Sequence, residues 1–230
     1  MTMDEQARKK ELAAKAAVDY VIENEYLGVG TGTTVSFFIA ALQQSGKKVK
    51  ACVSSSDATT RQLLAFGFPV VELNEIEGRI PVYVDGCDEI DANFNMIKGG
   101  GAALTGEKIV AQASDKFVCI ADDTKLVKQL GAFPLPLEVL PKAVEQIKKS
   151  MEGIRGVPKV RECITDYGNN IIDVSGLQIQ DPLKLEEAIN QLPGLVTCGI
   201  FAKRGADVLI VGSSDGVKIT TKKNKFSFKK

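Results

Sequence analysis

Tyr26-Leu27-Gly28-Val29-Gly30-Thr31-Gly32-Thr33-Thr34-Val35-Ser36-Phe37-Phe38-Ile39-Ala40-Ala41-Leu42 is the stretch that decides the fold. Its opening residues form a short apolar run of strand length. Val35, Phe38, Ile39 and Leu42 then recur at i, i+3, i+4 and i+7, the spacing of one helix face. A glycine-rich turn joins the two. Strand, turn and helix in that order form half of a βαβ unit, so the fold class depends on whether the flanking sequence repeats it.

On the N-terminal side, Leu12, Ala16 and Tyr20, alongside Ala13, Ala17 and Val21, mark a helix that Thr2 and Glu5 open at capping-box spacing. On the C-terminal side the spacing predicts a strand over 49–53, a helix over 57–66, and strands over 70–73 and 80–84. A helix over 105–113 and a strand over 117–121 follow. These strands are too uniformly apolar to have a wet face, which predicts an open, mostly parallel α/β sheet with helices on both faces. After Phe133-Pro134-Leu135-Pro136 the order changes to a strand over 137–140, a helix over 143–151, and two strands flanking Tyr167-Gly168-Asn169-Asn170. A helix over 183–191 and a strand over 196–201 complete this part. That β-α-β-β-α-β order is the ferredoxin-like pattern. Val208-Leu209-Ile210-Val211 reads as a buried strand that rejoins the first sheet. The expected division is therefore an α/β catalytic domain of residues 1–133 and 206–230 with a smaller inserted ferredoxin-like α+β domain of residues 134–205.

Composition narrows the chemistry. Hydrophobic residues are 44% and charged residues 25% of the 230, with zero formal net charge, so no field gathers nucleic acid or acidic lipid. No apolar stretch reaches membrane-spanning length and the first eleven residues are charged, which makes no membrane and a cytoplasmic location the expectation. Cys52, Cys87, Cys119, Cys163 and Cys198 are scattered without a CxxC pair and read as free thiols. Histidine is absent, which removes the commonest general base and the commonest transition-metal ligand together. Acid-base work falls to Asp, Glu, Lys, Tyr or Cys. The lysine-rich stretch from Lys222 to Lys230 reads as a solvated terminus.

Three segments can carry chemistry. The turn Gly28-Val29-Gly30-Thr31-Gly32-Thr33-Thr34 places hydroxyls and open N–H groups at a helix start, a cradle for phosphate. It matches neither GxxxxGK[ST] nor a full GxGxxG, whose third glycine falls on Thr33. Ser54-Ser55-Ser56 ends the next strand, where a dinucleotide fold offers an acid, and reads equally as hydroxyl donors or as a helix cap. In Val82-Tyr83-Val84-Asp85-Gly86-Cys87-Asp88-Glu89-Ile90-Asp91, four carboxylates crowd the carboxyl end of a strand. Asp85 and Asp88 suit hydrogen bonds to sugar hydroxyls, the spacing being no EF-hand loop, and Glu89 and Asp91 read as solvated loop charges. In Lys98-Gly99-Gly100-Gly101-Ala102-Ala103-Leu104-Thr105-Gly106-Glu107-Lys108, three consecutive glycines mark a backbone that approaches something closely. Lys98 there brings a cation to a phosphate or a developing oxyanion. Glu107, taken alone, reads as an acid complementing a helix N-terminus.

Together these segments resemble the type A ribose-5-phosphate isomerase family. The matching stretches are GVGTGTT at 28–34, VSSSDAT at 53–59, YVDGCDEID at 83–91, KGGGAALTGEK at 98–108 and FVCIADDTK at 117–125. FPLPLEV at 133–139, LPGLVTCGIF at 192–201 and RGADV at 204–208 complete them. The resemblance implies interconversion of D-ribose 5-phosphate and D-ribulose 5-phosphate through an enediolate, in the non-oxidative pentose phosphate pathway. It implies no metal or organic cofactor, and a homodimer or larger homo-oligomer. It further implies that Glu107 is the proton acceptor, and that Thr31, Gly32, Thr33 and Thr34 form one substrate loop. Asp85, Gly86, Cys87 and Asp88 form a second such loop, Lys98, Gly99, Gly100 and Gly101 a third, and Lys125 is a further contact. Two positions depart from the common family spelling: Cys87, where alanine is usual, and Gly106, where a larger polar residue is common. Cys87 is oxidation-sensitive if its thiolate is exposed and otherwise a small buried neighbour. Two rival readings are a sugar-phosphate deaminase or lactonase-like enzyme, weakened by the absence of histidine, and a sugar-phosphate-sensing binding module. The second lacks a basic recognition helix before Gly28.

Overall fold

A computed structural model describes residues 3–222. The Thr2 cap and most of the Lys222 to Lys230 stretch lie outside the described residues. Helix α1 (Met3–Ala17) leads into strand β1 (Tyr26–Val29), helix α2 (Thr33–Ser45), strand β2 (Ala51–Ser54) and helix α3 (Asp57–Ala65). Strand β3 (Ile80–Asp85), the two-residue strands β4 (Glu89–Ile90) and β5 (Met96–Ile97), helix α4 (Leu104–Ala113) and strand β6 (Ser114–Asp122) follow.

The next elements are β7 (Leu135–Val139), α5 (Val144–Gly153), β8 (Val157–Ile164), β9 (Asn170–Ser175), α6 (Pro182–Ile189) and β10 (Leu195–Cys198). The described chain ends with β11 (Ile200–Phe201), β12 (Val208–Ser213) and β13 (Gly216–Thr221).

The main sheet has the order β13-β12-β6-β3-β1-β2, parallel except for the β13 edge, so β12 rejoins the first sheet beside β6 as expected. Its apolar strands are explained by burial on two faces. Val118 and Ile120 of β6 and Ile210 of β12 pack with Ala13, Phe38 and Leu42 from α1 and α2. The intervening Phe117, Cys119 and Leu209 pack with Val110 and Ala111 of α4 on the other side. Strand and helix are thus consistent at every level, since a period of two fills both faces when both are covered.

Elements β7 to β10 form a second, four-stranded sheet of order β10-β7-β9-β8, antiparallel throughout, with the β-α-β-β-α-β succession read from the sequence. Its core is Leu137, Ile172 and Val174 against Ile147 and Met151 of α5 and Ile189 of α6.

Two expected strands differ. No strand spans 70–73: Val70 makes a single parallel bridge to Cys52, and the chain then turns into a 3₁₀ turn at Leu73–Glu75. Glu72 and Glu75 close a capping box there, which ends extension after two apolar residues. The expected strand over 196–201 is two strands. β10 stays in the small sheet, while β11 joins β5 and β4 in a three-stranded sheet. Gly199 divides them because its N–H donates to the Pro136 carbonyl and its own carbonyl accepts from the Lys98 N–H. No described helix is long and apolar enough to cross a membrane.

Candidate active site

The parallel strands β1, β2, β3 and β6 all deliver their carboxyl ends to one edge of the main sheet, where a ligand has access to the loops that follow them. A cleft opens there. Thr31, Gly32, Thr33 and Thr34 line it from the β1–α2 turn, and Gly86, Cys87 and Asp88 from the turn after β3. Lys98 and Gly101 come from the triple-glycine loop, and Lys125 from the 3₁₀ turn after β6. The β1–α2 turn, the turn after β3, the triple-glycine loop and the turn carrying Lys125 therefore each contribute at least one residue to the cleft lining, whereas Asp85 and Glu107 do not line it.

One end of the cleft gathers two lysines and an uncapped helix start. Helix α2 starts at Thr33 with Gly32 at its N-cap and no side chain closing the cap, so its first N–H groups are open to the cleft. Lys125 flanks it. Lys10 of α1, which sequence reasoning missed, also lines the cleft and donates from Nζ to Thr33 Oγ1 at 3.0 Å. The Thr31 hydroxyl points the other way, into a hydroxyl cluster with Ser55 Oγ at 2.8 Å, Ser56 Oγ at 2.8 Å and Thr59 Oγ1 at 3.2 Å. Ser56 is also the N-cap of α3, accepting from the Thr59 N–H, so these serines cap a helix and buttress the cradle together.

Beneath the other end lies a buried charge cluster. Lys98 Nζ sits 2.8 Å from Asp85 Oδ2 and 3.4 Å from Glu107 Oε1, and donates to the Gly86 carbonyl at 2.5 Å. All three side chains are nearly inaccessible: Asp85 is 0%, Lys98 2% and Glu107 4% exposed. Asp85 is saturated by the protein itself. Its Oδ1 accepts from the N–H groups of Thr31 at 3.0 Å and Gly86 at 2.7 Å, while Oδ2 accepts from the buried Tyr83 hydroxyl as well as Lys98. Glu107 is not saturated. Its Oε2 is buried without a hydrogen-bond partner, an arrangement that costs free energy unless a ligand supplies the donor.

The electrostatics follow from this placement. Burial, with Asp85 and Asp88 nearby and Lys98 only partly opposing, pushes the Glu107 carboxyl up to about 8. Burial works against the Lys98 ammonium, yet the charges of Asp85 and Glu107 outweigh it and hold the amine above its ordinary value, so it stays a cation. Cys87 is half-buried, and its thiol is pushed well up by the adjacent Cys119 side chain and by burial. It is held as a neutral thiol, which fits a small neighbour and not a reactive thiolate.

The triple-glycine loop supplies the remaining geometry. Gly99 adopts φ +108°, and a Cβ there would meet Leu104 and Pro136 at 3.1 and 3.2 Å. Gly99 is buried and Gly100 does not line the cleft; the Gly100 N–H donates instead to Asp88 Oδ2 at 2.8 Å. Ala102 closes the loop at φ +59°, a left-handed conformation costly for alanine, with its N–H donating to the Gly99 carbonyl.

Two acids expected as solvated charges behave differently. Glu89 is buried and accepts from the N–H groups of Gly131 at 2.7 Å and Phe133 at 2.6 Å. It ties down the chain leading to β7. Asp91 accepts from the N–H groups of Asn93 and Asn95, closing a tight local turn. Among the described residues no group of three or more Cys, Asp or Glu side chains is arranged to hold a metal ion.

The chain as a whole resembles known proteins in sequence and fold. The sequence pattern that defines Ribose 5-phosphate isomerase A (phosphoriboisomerase A) matches residues 51–216. Ribose-5-phosphate isomerase A of Neisseria meningitidis serogroup C (strain 053442) is 49% identical over 218 residues, covering 94% of this chain and 97% of its own. The crystal structure of ribose 5-phosphate isomerase A from Neisseria gonorrhoeae is similar at 47% identity, with a TM-score of 0.94 over 97% of this chain and 100% of its own. A D-ribose-5-phosphate isomerase solved in complex with phospho-erythronic acid has 35% identity and a TM-score of 0.90, covering 96% of this chain and 100% of its own. With about half of its residues shared along nearly its whole length and the same fold, this chain belongs to the ribose 5-phosphate isomerase A family.

Proposed function

We propose that this chain interconverts D-ribose 5-phosphate and D-ribulose 5-phosphate with Glu107 as the base that shuttles the proton. The observation that carries the assignment is the buried, unpartnered Oε2 of Glu107, on a carboxyl group whose other oxygen, Oε1, lies 3.4 Å from the Lys98 ammonium. In the conversion a proton leaves C2 of the open-chain aldose, an enediolate forms, and the proton returns at C1. One carboxylate can perform both transfers when it is held at the edge between the two carbons. A carboxyl raised to about 8 is a stronger base once ionised than an ordinary glutamate.

The phosphate sits at the start of α2, where Thr33, Thr34, Lys10 and Lys125 converge and the helix dipole favours negative charge. Gly32 lets the backbone approach closely, and Thr31 braces the loop through its hydroxyl cluster. At the reacting end Lys98 stabilises the oxyanion, and Asp88 contacts sugar oxygens and passes protons during ring opening. Asp85, saturated within the protein, acts by fixing Lys98. Cys87, Gly86 and Gly101 shape the wall, and Gly99 and Gly100 set the course of the loop. The ligand phospho-erythronic acid in one relative, a phosphorylated sugar acid, fits the same division into a phosphate end and an anionic reacting end.

On this reading residues 1–133 and 206–230 form the catalytic α/β domain and residues 134–205 a ferredoxin-like α+β domain, supported by the separate sheet of β7 to β10 and by a core cluster drawn mostly from residues 134–205, with Ile97 and Leu130 joining it. A cytoplasmic homodimer or larger homo-oligomer is part of the same proposal, and five free thiols suit a reducing compartment. The deciding experiment follows ketose formation from ribose 5-phosphate in the presence of chelator. Turnover is expected for the wild type, and Glu107→Gln should lower kcat by at least about 10²-fold while sugar-phosphate binding changes little. Wild-type turnover in Glu107→Gln would overturn the base assignment.

A further inference from the structure

We propose that Arg161, on strand β8 of the small sheet, is a positioning residue for isomerisation: it orients two consecutive peptide planes of the triple-glycine loop so that their N–H groups face Asp88 and the cleft. The inference rests on the isomerase reading above. Arg161 Nη1 donates to the Gly99 carbonyl at 3.0 Å and to the Gly100 carbonyl at 3.1 Å. The rest of the guanidinium is held by Asp173 of the neighbouring strand β9, with Nε donating to Oδ2 at 2.8 Å and Nη2 to Oδ1. The fork is thus locked in orientation by one carboxylate before it meets the loop, the geometry in which an arginine loses least freedom per bond.

A trans peptide is planar with its C=O and N–H pointing to opposite sides. Holding the Gly99 carbonyl on the small-sheet side therefore aims the Gly100 N–H the other way, where it meets Asp88 Oδ2 at 2.8 Å. Holding the Gly100 carbonyl likewise turns the Gly101 N–H away from Arg161, on the side where Gly101 lines the cleft. Three glycines have no side chains to restrict them, so the loop has little stiffness of its own. It must nevertheless carry Lys98 at one end and keep Ala102 at φ +59° at the other. The Gly99 carbonyl accepts from the Ala102 N–H as well as from Arg161, which ties the strained end to the clamp. Arg161 itself does not line the cleft, so its effect is exerted through the loop.

The test compares wild type, Arg161→Ala and Arg161→Lys with ribose 5-phosphate. Loosening the loop should lower kcat about 10- to 100-fold, with KM changed less than about threefold, since the phosphate cradle is untouched. Added guanidinium chloride at low millimolar concentration should recover part of the kcat of Arg161→Ala, a response that a generally destabilised protein would not give. Amide hydrogen exchange at Gly100 should quicken in Arg161→Ala irrespective of turnover. If Arg161→Ala does not fold, Arg161→Lys carries the test: its single ammonium keeps the charge opposite Asp173 but not the reach to both carbonyls, and a lowered kcat at unchanged KM is expected. Wild-type kcat and unchanged Gly100 exchange in the folded variants would overturn the clamp. Failure of the wild type to convert ribose 5-phosphate would instead overturn the isomerase reading.

Discussion

Glu107 shows how little a single residue's chemistry follows from its neighbours in sequence. In the first turn of α4 a glutamate reads as a complement to the helix dipole, and nothing local argues for more. Only the sheet brings Asp85 from β3 and Lys98 from the glycine loop against it, and only burial raises its carboxyl to about 8. That value fixes a pH dependence. The base form is the carboxylate, so kcat/KM should rise with pH through a limb near 8, and the limb should vanish in Glu107→Gln. An acid limb centred near an ordinary glutamate value would count against the assignment. Folding stability moves the opposite way. Below about 4.5 the group is protonated folded or unfolded. Between 4.5 and about 8 the unfolded chain ionises while the native carboxyl keeps its proton, so stability is lost as pH rises through that window. Glu107→Gln escapes this loss, and its melting temperature should gain on the wild type steadily from pH 5 to pH 8.5; a constant difference would contradict the raised value. Lys10 and Tyr83 escaped the sequence reading for physical reasons. Lys10 is one of several cations on a charged helix, and Tyr83 sits in a strand where an aromatic residue is ordinary core.

At the scale of elements, the strands of the main sheet were legible because burial on two faces leaves uninterrupted apolar runs, and α2 because its apolar spacing is regular. The segment over 70–73 misled for the same reason: two valines look like a strand start, but the Glu72–Glu75 capping box that stops them is visible only as a turn. The two-residue strands β4 and β5 carry no periodic signal at all. Element packing also explains Gly106. It lies on the face of α4 against the backbone that leads from β2 to α3, and a Cβ there would stand 2.1 Å from the Ser55 carbonyl oxygen. Gly106→Ala gains about 1 kcal/mol of helix propensity, but the obstacle is backbone, and overpacking of this kind costs about 1–3 kcal/mol. Net destabilisation in urea unfolding is expected, with the shifted Ser55 disturbing the Thr31 hydroxyl cluster; a stabilised variant would mean that α4 can withdraw freely. Helix α1 makes a separate contribution by presenting Lys10 to Thr33. Lys10→Gln should raise KM for the sugar phosphate about tenfold with kcat little altered, because a contact to phosphate is made equally in ground and transition states. A loss confined to kcat would place Lys10 at the reacting end instead.

For the whole molecule the decisive feature is how the small sheet is joined to the main one, and Glu138 carries much of that junction. It lies on β7, is 0% exposed, and accepts from Thr165 Oγ1 at 2.7 Å, from Asn169 Nδ2 at 2.9 Å and from Thr105 Oγ1. Thr165 and Asn169 belong to the turn between β8 and β9, whereas Thr105 is two residues before Glu107 on α4. The neighbouring Asp166 also accepts from the Asp57 N–H at the start of α3 at 2.9 Å. The hairpin is therefore fastened to the starts of α3 and α4. In the sequence Glu138 appears only as one acid in FPLPLEV, and its three partners, 27 to 33 residues away, cannot be inferred from spacing. A buried carboxylate with three neutral donors is stable only while all three remain. Glu138→Ala strands them together and should cost about 3–5 kcal/mol, whereas Glu138→Gln, still able to accept, should lose about 1–2 kcal/mol. The cost must reach the active site through Thr105 if the junction sets the position of α4. Thr105→Val and Glu138→Gln combined should then show a coupling energy of about 1 kcal/mol in unfolding, together with a fall in kcat that neither KM nor the phosphate cradle shares. Additive stabilities and an unaltered kcat would show instead that the small sheet is fastened elsewhere and that α4 is held by the main sheet alone.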